Sequence, residues 1–388
     1  MDFTLSPEQE LIRKTCRDFG RQVIAPRAEE MDRTASFPYE IVAQMAELGL
    51  LGLPFPEQYG GAGADTVSYA LAVEEIARAD ASTGITMAAH ISLGASPFYL
   101  FGSEEQKQRY LVPLAQGQQL WAFGLTEPGA GSDAGATRTR AELRDGQWLV
   151  NGSKCFITNS GTRITGGVTI TAVTGSRNSP ARGEGGHAEI SNIIIPSGTP
   201  GFDVAPSYRK MGWKASDTHE LSFRDCAVPE ENLLGPRGQG FKQFLTILDG
   251  GRISVAALSI GLAQACYDAA FAYAQERRQF GQPIAKFQAI QFKLADMATE
   301  IEMARLMTLK AAWLKDQGKD FRLAAGMAKL YAAETSKRAA DQAVQIHGGY
   351  GFMDEYPVSR YWRDCKINEI GEGTSEVQRL VIAKLLGC

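Results

Sequence analysis

Apolar residues recur at helical spacing through the first third of the chain. Leu11, Ile12 and Phe19 share one face of a predicted helix that begins at Ser6. Further helical segments are predicted at residues 67–79, at residues 84–101 and from a capping box that opens at Ser103. We expect residues 1–119 to form an N-terminal all-helical domain.

The period changes near Trp121 to that of short β-strands. Runs rich in β-branched and aromatic residues are separated by Gly, Asn and Pro, at residues 148–150, 154–158, 168–173, 190–195 and 220–223. We therefore predict a middle β-barrel-like domain over residues 120–230. Within it, Gly175 to Gly186 is rich in Gly, Ser and Arg, and we interpret it as a mobile hairpin loop with no assigned function.

After Pro229 the helical period returns and holds to the end of the chain. Long amphipathic runs cover residues 238–275, 289–317 and 323–347. Helices of this length pack as antiparallel bundles, so we predict a C-terminal four-helix bundle over residues 231–388. The fold class is therefore mostly α with a central β domain.

Length and charge narrow the classes of function. Of 388 residues 44% are hydrophobic, enough for a substantial core, and 40 basic against 44 acidic residues give a formal charge of −4. Without a Lys/Arg block, this balance argues against nucleic acid or an anionic membrane as a partner. No run looks apolar for long enough to span a bilayer, and the early helix start at Ser6 argues against a signal or transit peptide. We expect a cytoplasmic, prokaryotic protein.

Cysteine and histidine show no metal-ligand pattern. The six cysteines and four histidines are scattered without paired spacing. Single buried thiols in a reducing compartment account for the cysteines. We expect no metal site.

One carboxylate near the C-terminus has an unusual setting. Glu372 lies between two glycines, which permit backbone angles that present it from a tight loop. Ser375 and Gln378 fit a capping box, which predicts a helix that ends at Gly387. On spacing alone, the loop fits a solvated turn as well as a catalytic one.

Three further segments could carry chemistry, and each also has a structural explanation. Residues 123–133 form a Gly-rich loop, although such loops are usually only turns. Strand alternation places Phe156 and Thr158 on one side, where an aromatic residue is most often core. Arg277 could neutralise a pyrophosphate and Gln288 could add a hydrogen bond, although paired arginines at a helix end are usually solvated.

The run from Arg363 to Ala383 resembles the C-terminal signature of the acyl-CoA dehydrogenases, flavoenzymes of fatty-acid and branched-chain amino-acid breakdown. Residues 126–133 are similar to the signature loop of that family residue for residue. The order helical, β, helical also matches the family, so the resemblance covers essentially the whole chain. It implies FAD as cofactor, an acyl-CoA substrate of fatty-acid β-oxidation, an electron-transferring flavoprotein as acceptor, and a homotetramer.

This resemblance also implies roles for individual residues, with Glu372 as the catalytic base. Some relatives carry the base immediately before the arginine that corresponds to Arg252; here that residue is Gly251, which cannot take a proton. The cofactor-binding residues would be Phe123, Leu125, Thr126, Gly131, Ser132, Phe156, Ile157, Thr158, Arg277, Phe280, Phe287, Gln288, Gln345, Gly348, Gly349, Thr374 and Glu376. Those from Arg277 to Gly349 would contact FAD across a subunit boundary. The substrate-binding residues would be Ser132, Asp249, Arg252, Gly371 and Gly373.

The implied reaction is removal of the thioester α-proton by Glu372 and transfer of the β-hydride to flavin N5, which gives a trans-2-enoyl-CoA. Burial should raise the pKa of this base. Residues 288–297 and 373–383 are most similar to short-chain and butyryl-CoA dehydrogenases. Gly371 replaces a tyrosine common in straight-chain enzymes, and residues 89–93 are similar to isovaleryl relatives, so short branched substrates stay open.

Two other functions are compatible with the same fold. An acyl-CoA oxidase or flavin monooxygenase would pass the electrons to oxygen, but such oxidases are usually longer and such monooxygenases tend to lack the glutamate. A non-catalytic protein that binds nucleic acid would have a basic surface, whereas this chain is mildly acidic. The length of the chain and the presence of Glu372 favour a dehydrogenase over an oxidase or a monooxygenase.

Overall fold

The computed structural model describes residues 4–175 and 188–388. The loop interpreted as a mobile hairpin, Gly175 to Gly186, lies outside the described residues apart from Gly175. In the described parts, helices are followed by a sheet and then by long helices, which confirms the predicted fold class. The boundaries after residues 119 and 230 stay predictions.

The N-terminal part is a set of mostly short helices around one buried helix, α4. The helices are α1 (Pro7–Phe19), α2 (Ala28–Thr34), α3 (Tyr39–Glu47), α4 (Thr66–Ala79), α5 (Ala81–Ala89), α6 (Ser96–Phe101), α7 (Glu104–Gln106) and α8 (Val112–Ala115). The predicted caps at Ser6 and Ser103 are confirmed. The single helix expected over 84–101 is instead divided by a π-helical turn at His90–Ala95, where Gly94 packs tightly against the backbone of Trp121.

The middle part is one sheet whose strands surround a common core. The strands are β1 (Leu120–Gly124), β2 (Arg140–Arg144), β3 (Gln147–Thr158), β4 (Thr165–Val173), β5 (Ile190–Pro196), β6 (Phe202–Val204), β7 (Thr218–Pro229) and β8 (Leu233–Leu234). Their order is β6-β7-β3-β2-β4-β5-β8, and β1 pairs in parallel with β4. Side chains from β1, β2, β3, β4, β5 and β7 share one buried cluster, which fixes the strand ends that carry candidate residues.

Strand β3 joins two of the predicted runs and is irregular where they meet. Its register with β7 shifts between Val150 and Gly152 and again between Lys154 and Ile157. Phe156, inside the second shift, has a left-handed φ of 61°. Since a β-bulge redirects side chains, this irregularity places the Phe156 ring outside the core while Ile157 stays in it.

The C-terminal part is built on one long helix, α9 (Gly240–Glu276). Next to it lie α10 (Gln288–Asp316), α11 (Arg322–His347) and α12 (Pro357–Cys365), and α13 (Ser375–Leu386) packs on α11. A small hairpin of β9 (Arg278–Gln279) and β10 (Gln282–Pro283) follows the end of α9. Helix α9 also packs on α4 and α5, so it joins the two helical parts of the chain.

The expectation about membrane-length segments needs a correction at α9. In the described residues this helix is long and apolar enough to cross a membrane by length and composition. However, 72% of its apolar window is buried inside the protein. Its apolar character is therefore accounted for by packing on α4, α10 and α11.

The predicted cap of the last helix was wrong by one residue. Thr374 rather than Ser375 is the N-cap of α13, and its hydroxyl accepts the N–H of Val377 at 3.2 Å. Gln378 does not reach back to the cap but donates to the carbonyl oxygens of Glu372 and Gly373. The left-handed Gly373, with φ 94°, turns the chain so that Thr374 takes the extended cap conformation. The predicted end at Gly387 is confirmed.

Candidate active site

Glu372 is presented from a strained turn into a buried space beside α9. Its φ is 52°, a left-handed value that costs a non-glycine residue about 1–3 kcal/mol. Both carboxylate oxygens are buried and have no hydrogen-bond partner among the described residues. A Cβ atom added to Gly251 would lie 2.2 Å from Oε2. Positions 251 and 372, on different elements, therefore meet at one point in space.

The charges around Glu372 only partly offset its burial. Burial raises the pKa of Glu372 to about 7, against the lowering influence of Lys329 and, less strongly, Arg252. Lys329 on α11 is fully buried and donates to the carbonyl oxygen of Gly373 at 2.7 Å. Arg252 is buried too and is paired with Asp249 at 2.5 Å. The carboxylate can therefore both hold and release a proton near neutral pH.

Helix α5 connects this space with the end of strand β3. The hydroxyl of Tyr69, a buried residue of α4, donates to the carbonyl oxygen of Ala88 at 3.3 Å. Burial raises the pKa of Tyr69 well above its ordinary value, and the nearby Glu372 charge adds to this. Two residues earlier on α5, the carbonyl oxygen of Thr86 accepts a hydrogen bond from the Asn159 side chain at 3.0 Å. These bonds tie Phe156 and Thr158, just before Asn159, to the elements that surround Glu372.

A buried ion pair fixes the Gly-rich loop beside Phe156. Lys154 on β3 is fully buried and lies 2.8 Å from Glu127 of the loop. The Glu127 carboxylate also accepts the Thr137 hydroxyl and the backbone N–H groups of Arg138 at 2.7 Å and Thr139 at 3.0 Å. Burial opposes ionisation here, but Lys154 and these donors lower the pKa of Glu127 to about 2. The ionised Glu127 thus ties the loop to Lys154 on β3 and to residues 137–139.

The Glu127–Lys154 pair was missed by the sequence reasoning. The loop was assessed by its glycines and hydroxyls, so its carboxylate had no assigned role. A usable signal was present: Lys154 opens the predicted strand run 154–158, in which the next three residues are apolar. A lysine in such a position requires a buried acidic partner.

The surface between this loop and Phe156 fits a flat aromatic cofactor. The Phe156 ring is 66% exposed and packs on one side against Tyr208, with ring centroids 5.2 Å apart. The backbone carbonyl oxygen of Thr126 accepts the backbone N–H of Cys155 at 2.9 Å, which brings the loop alongside Phe156. Gly131 has open space around it, so a ligand can approach the backbone there. These residues therefore fit the isoalloxazine ring of FAD.

Two predicted contact residues face the core instead of this surface. The side chain of Ile157 is buried in the sheet core, and that of Phe123 is buried with Phe244 and Ile247. Only their backbone groups are available to a ligand. Leu125 and Thr158 are half-buried, and Ser132 is exposed beside Gly131.

A second group of predicted residues lies at the other end of α9. Arg277 lies over the ring of Tyr350 at 5.5 Å, and the rings of Phe280 and Phe287 are 6.0 Å apart. Phe280 is 92% exposed. The remaining predicted members are also exposed: Gln288, Gln345, Gly348 and Gly349.

One chain does not bring the two groups together. At about 1.5 Å per residue, Arg277 lies about 39 Å along α9 from Gly251. Glu372, Gly371, Gly373, Thr374 and the α9 residues Asp249 and Arg252 belong to the first group. Glu376, in the first turn of α13, is exposed next to them. In the described residues no cluster of His, Cys, Asp and Glu could hold a metal ion.

Comparisons with known proteins find relatives along the whole chain. Family models for the N-terminal, middle and C-terminal domains of acyl-CoA dehydrogenase match residues 6–118, 122–226 and 238–387. The probable acyl-CoA dehydrogenase YngJ of Bacillus subtilis is 56% identical over 100% of both chains. The structure of butyryl-CoA dehydrogenase from Megasphaera elsdenii superposes with a TM-score of 0.94 at 45% identity, over 100% of both chains.

A further solved structure bears on the cofactor. The acyl-CoA dehydrogenase of Bacillus anthracis complexed with FAD has a TM-score of 0.89 at 36% identity, over 98% of this chain and 67% of that one. Three matched domains, full-length relatives and a surface that fits FAD lead to one conclusion. The chain belongs to the acyl-CoA dehydrogenase family of FAD-dependent oxidoreductases.

Proposed function

We propose that this chain dehydrogenates a short-chain or short branched acyl-CoA with Glu372 as the base. The observation that carries the proposal is the Glu372 carboxylate, buried without a hydrogen-bond partner among the described residues and with its pKa raised to about 7. A general base works best when its pKa lies near the operating pH and its oxygens are free to take a proton. Similarity to a butyryl-CoA dehydrogenase supports a short acyl chain.

The proposed reaction uses the chain's own groups for proton removal and positioning. Glu372 takes the α-proton of the thioester, and the hydride leaves the β-carbon, so that an α,β double bond forms and a trans-2-enoyl-CoA results. FAD, when bound, supplies the hydride acceptor. By analogy with the family, the backbone N–H of Glu372 would donate to the thioester oxygen as negative charge develops there. Arg252 would lie near the CoA part of the substrate.

Branched substrates are part of the proposal because of Gly371. This residue has no left-handed φ, and an added Cβ would meet only Ile367, at ordinary contact distances of 3.5 Å to its carbonyl oxygen and 3.9 Å to its Cγ1. The backbone therefore does not require glycine at this position. The missing side chain leaves volume beside Glu372, where a branched acyl group could lie.

FAD binding is proposed to involve two copies of the chain. The exposed group around Arg277 suits a diphosphate, but it lies about 39 Å along α9 from Gly251, the residue that meets Glu372. A neighbouring subunit would supply it, as in a homotetramer. Sedimentation of a fully active holoenzyme as a monomer would refute this. An electron-transferring flavoprotein as acceptor and a cytoplasmic location complete the proposal by family analogy.

The test is an anaerobic titration of the yellow holoenzyme with butyryl-CoA and with isovaleryl-CoA. Bleaching of the flavin by either substrate is expected for the wild-type chain, and the better substrate reports the shape of the pocket. Glu372→Gln should retain FAD and slow bleaching by about 10²–10⁴-fold, because the amide fills the space but accepts no proton. Bleaching by Glu372→Gln at the wild-type rate would exclude Glu372 as the base.

The same titration separates the alternatives. Rapid reoxidation of the bleached enzyme when air is admitted would indicate an oxidase. A colourless protein that cannot be reconstituted with FAD would indicate a non-catalytic role.

A further inference from the structure

We infer that Lys329 is a positioning residue for Glu372: it holds the turn that presents the carboxylate and supplies a nearby positive charge that favours the ionised form. The inference rests on the proposed role of Glu372 as the base. It adds a residue on α11, remote in sequence from the Glu372 loop, to the machinery of proton removal.

The geometry shows how Lys329 holds the turn. Its Nζ donates to the carbonyl oxygen of Gly373 at 2.7 Å. Gln378 donates to the carbonyl oxygens of Glu372 and Gly373 at 3.2 and 3.3 Å. Three hydrogen bonds therefore fix two consecutive peptide groups in a turn with left-handed φ values at Glu372 and Gly373.

A hydrogen bond to a carbonyl oxygen does not by itself require a buried charge. Gln378 shows that a neutral amide makes the same kind of bond in the same turn. A fully buried ammonium is costly to desolvate, so its retention points to a use for the charge itself. The nearest use is the Glu372 carboxylate, whose pKa Lys329 lowers more than Arg252 does.

Arg252 cannot replace Lys329 in this role. Its guanidinium is already paired with Asp249 at 2.5 Å, which compensates much of its charge. The other titratable group that faces Glu372 is Tyr69 of α4, a buried phenol with a raised pKa. Burial lowers the pKa of Lys329 itself. Glu372 raises it most among the charged groups, and Glu369 and Glu376 raise it less. Lys329 is thus the main cation that opposes the burial of Glu372.

The orientation of Lys329 also matters. Because its hydrogen bond goes to the Gly373 carbonyl, the positive charge lies near the carboxylate without occupying its oxygens. Glu372 can then be ionised and still be free to take a proton.

The experiment compares the pH dependence of kcat/KM for butyryl-CoA in wild type, Lys329→Gln and Lys329→Arg holoenzymes, with an artificial electron acceptor. For the wild type, activity should rise with pH through about 7, because the base must be deprotonated. Lys329→Gln keeps a donor for Gly373 but loses the charge. Its midpoint should move up by about one pH unit, which is about a tenfold loss at pH 6 that is recovered above pH 9.

Controls separate charge from structure. Lys329→Arg should restore the midpoint. Lys210→Gln removes a lysine that also bonds a backbone carbonyl, that of Ser216 at 2.5 Å, and it should leave the midpoint unmoved. Gln378→Met removes neutral bonds from the turn, so it should lower kcat without moving the midpoint.

Several outcomes would overturn the inference. An unmoved midpoint in Lys329→Gln would do so, and so would a shift of equal size in Gln378→Met, which stays informative if Lys329→Gln does not fold. Glu372→Gln keeps the two proposals apart. If Glu372→Gln is inactive at every pH and Lys329→Gln behaves as wild type, only the role of Lys329 fails. If Glu372→Gln stays active, the proposed base itself is wrong.

Discussion

The carboxylates of Glu127 and Glu372 are both buried near a fully buried lysine, yet their pKa values move in opposite directions. The pKa of Glu127 falls to about 2, whereas that of Glu372 rises to about 7. Their partners, Lys154 and Lys329, are alike in that burial lowers the pKa of both amines to about 8. Burial and the nearness of a lysine therefore do not decide the outcome.

The difference lies in which atom receives the lysine's hydrogen bond. Lys154 donates directly to the Glu127 carboxylate, which also accepts a hydroxyl and two backbone N–H groups. Lys329 donates to a backbone carbonyl and leaves the Glu372 oxygens unbonded. Hydrogen bonds to the charged form make the first carboxylate a permanent anchor, and their absence leaves the second able to exchange a proton.

The largest effect is expected from breaking the anchor. Glu127→Gln leaves the Lys154 ammonium buried without a counter-charge, and we expect a loss of about 3–5 kcal/mol in the free energy of unfolding at pH 7. Chemical denaturation measures it. As a control, Glu30→Gln removes one partner of the exposed pair with Arg33 and should change stability by less than about 1 kcal/mol. Equal effects of the two variants would contradict the distinction between anchor and base.

The second prediction concerns the pH dependence of stability. Because the pKa of Glu372 is raised in the folded protein, the folded state binds this proton more tightly than the unfolded state does. The stability that results is lost as pH rises from about 4.5 through about 7. Relative to Glu372→Gln, the wild type should therefore lose up to about 3 kcal/mol between pH 4 and pH 8. Asp364, whose pKa burial also raises to about 7, is common to both proteins and cancels in the comparison. Parallel curves would show that Glu372 is not destabilised by its burial.

The third prediction uses two neighbouring glycines on α9. Gly251→Ala would place a Cβ 2.2 Å from Glu372 Oε2 and displace the carboxylate, so we expect a loss of about 100-fold in kcat. Gly250→Ala meets nothing closer than the Lys315 amine at 3.6 Å and should leave kcat unchanged while stabilising the helix by about 0.4–1 kcal/mol. Steady-state kinetics on both variants measure this contrast. If Gly251→Ala were as active as Gly250→Ala, the carboxylate would not need its present position.

Periodicity predicted the fold because each part of the chain buries one face of its elements. The long runs that became α9, α10 and α11 were foreseen to within a few residues, and the glycines around Glu372 marked its turn. The cap at Thr374 was missed because the φ of Gly373 decides which residue caps the helix, and sequence does not state that angle. The bulge at Phe156 was missed for a similar reason, since it depends on the register with β7.

Lys154 left a signal in its strand, but the partner of Lys329 was beyond what pattern could reveal. Lys329 lies on the buried face of α11 with Ala325, Ala332 and Ala333, and its partner is 44 residues away in sequence. Only the packing of α11 against the loop before α13 brings its amine to Gly373. The resemblance to a family supplied Glu372 but no role for either lysine, because both act through other residues.

The close approach of Gly251 to Glu372 limits how such a site can change in evolution. A side chain at position 251 and the carboxylate from position 372 compete for one volume, so the chain has a single place for a base, reachable from two elements. Gly251→Glu alone would force two carboxylates into that volume, and removal of Glu372 alone would leave none. Moving the base from one element to the other therefore requires two coupled substitutions, each of which is harmful without the other.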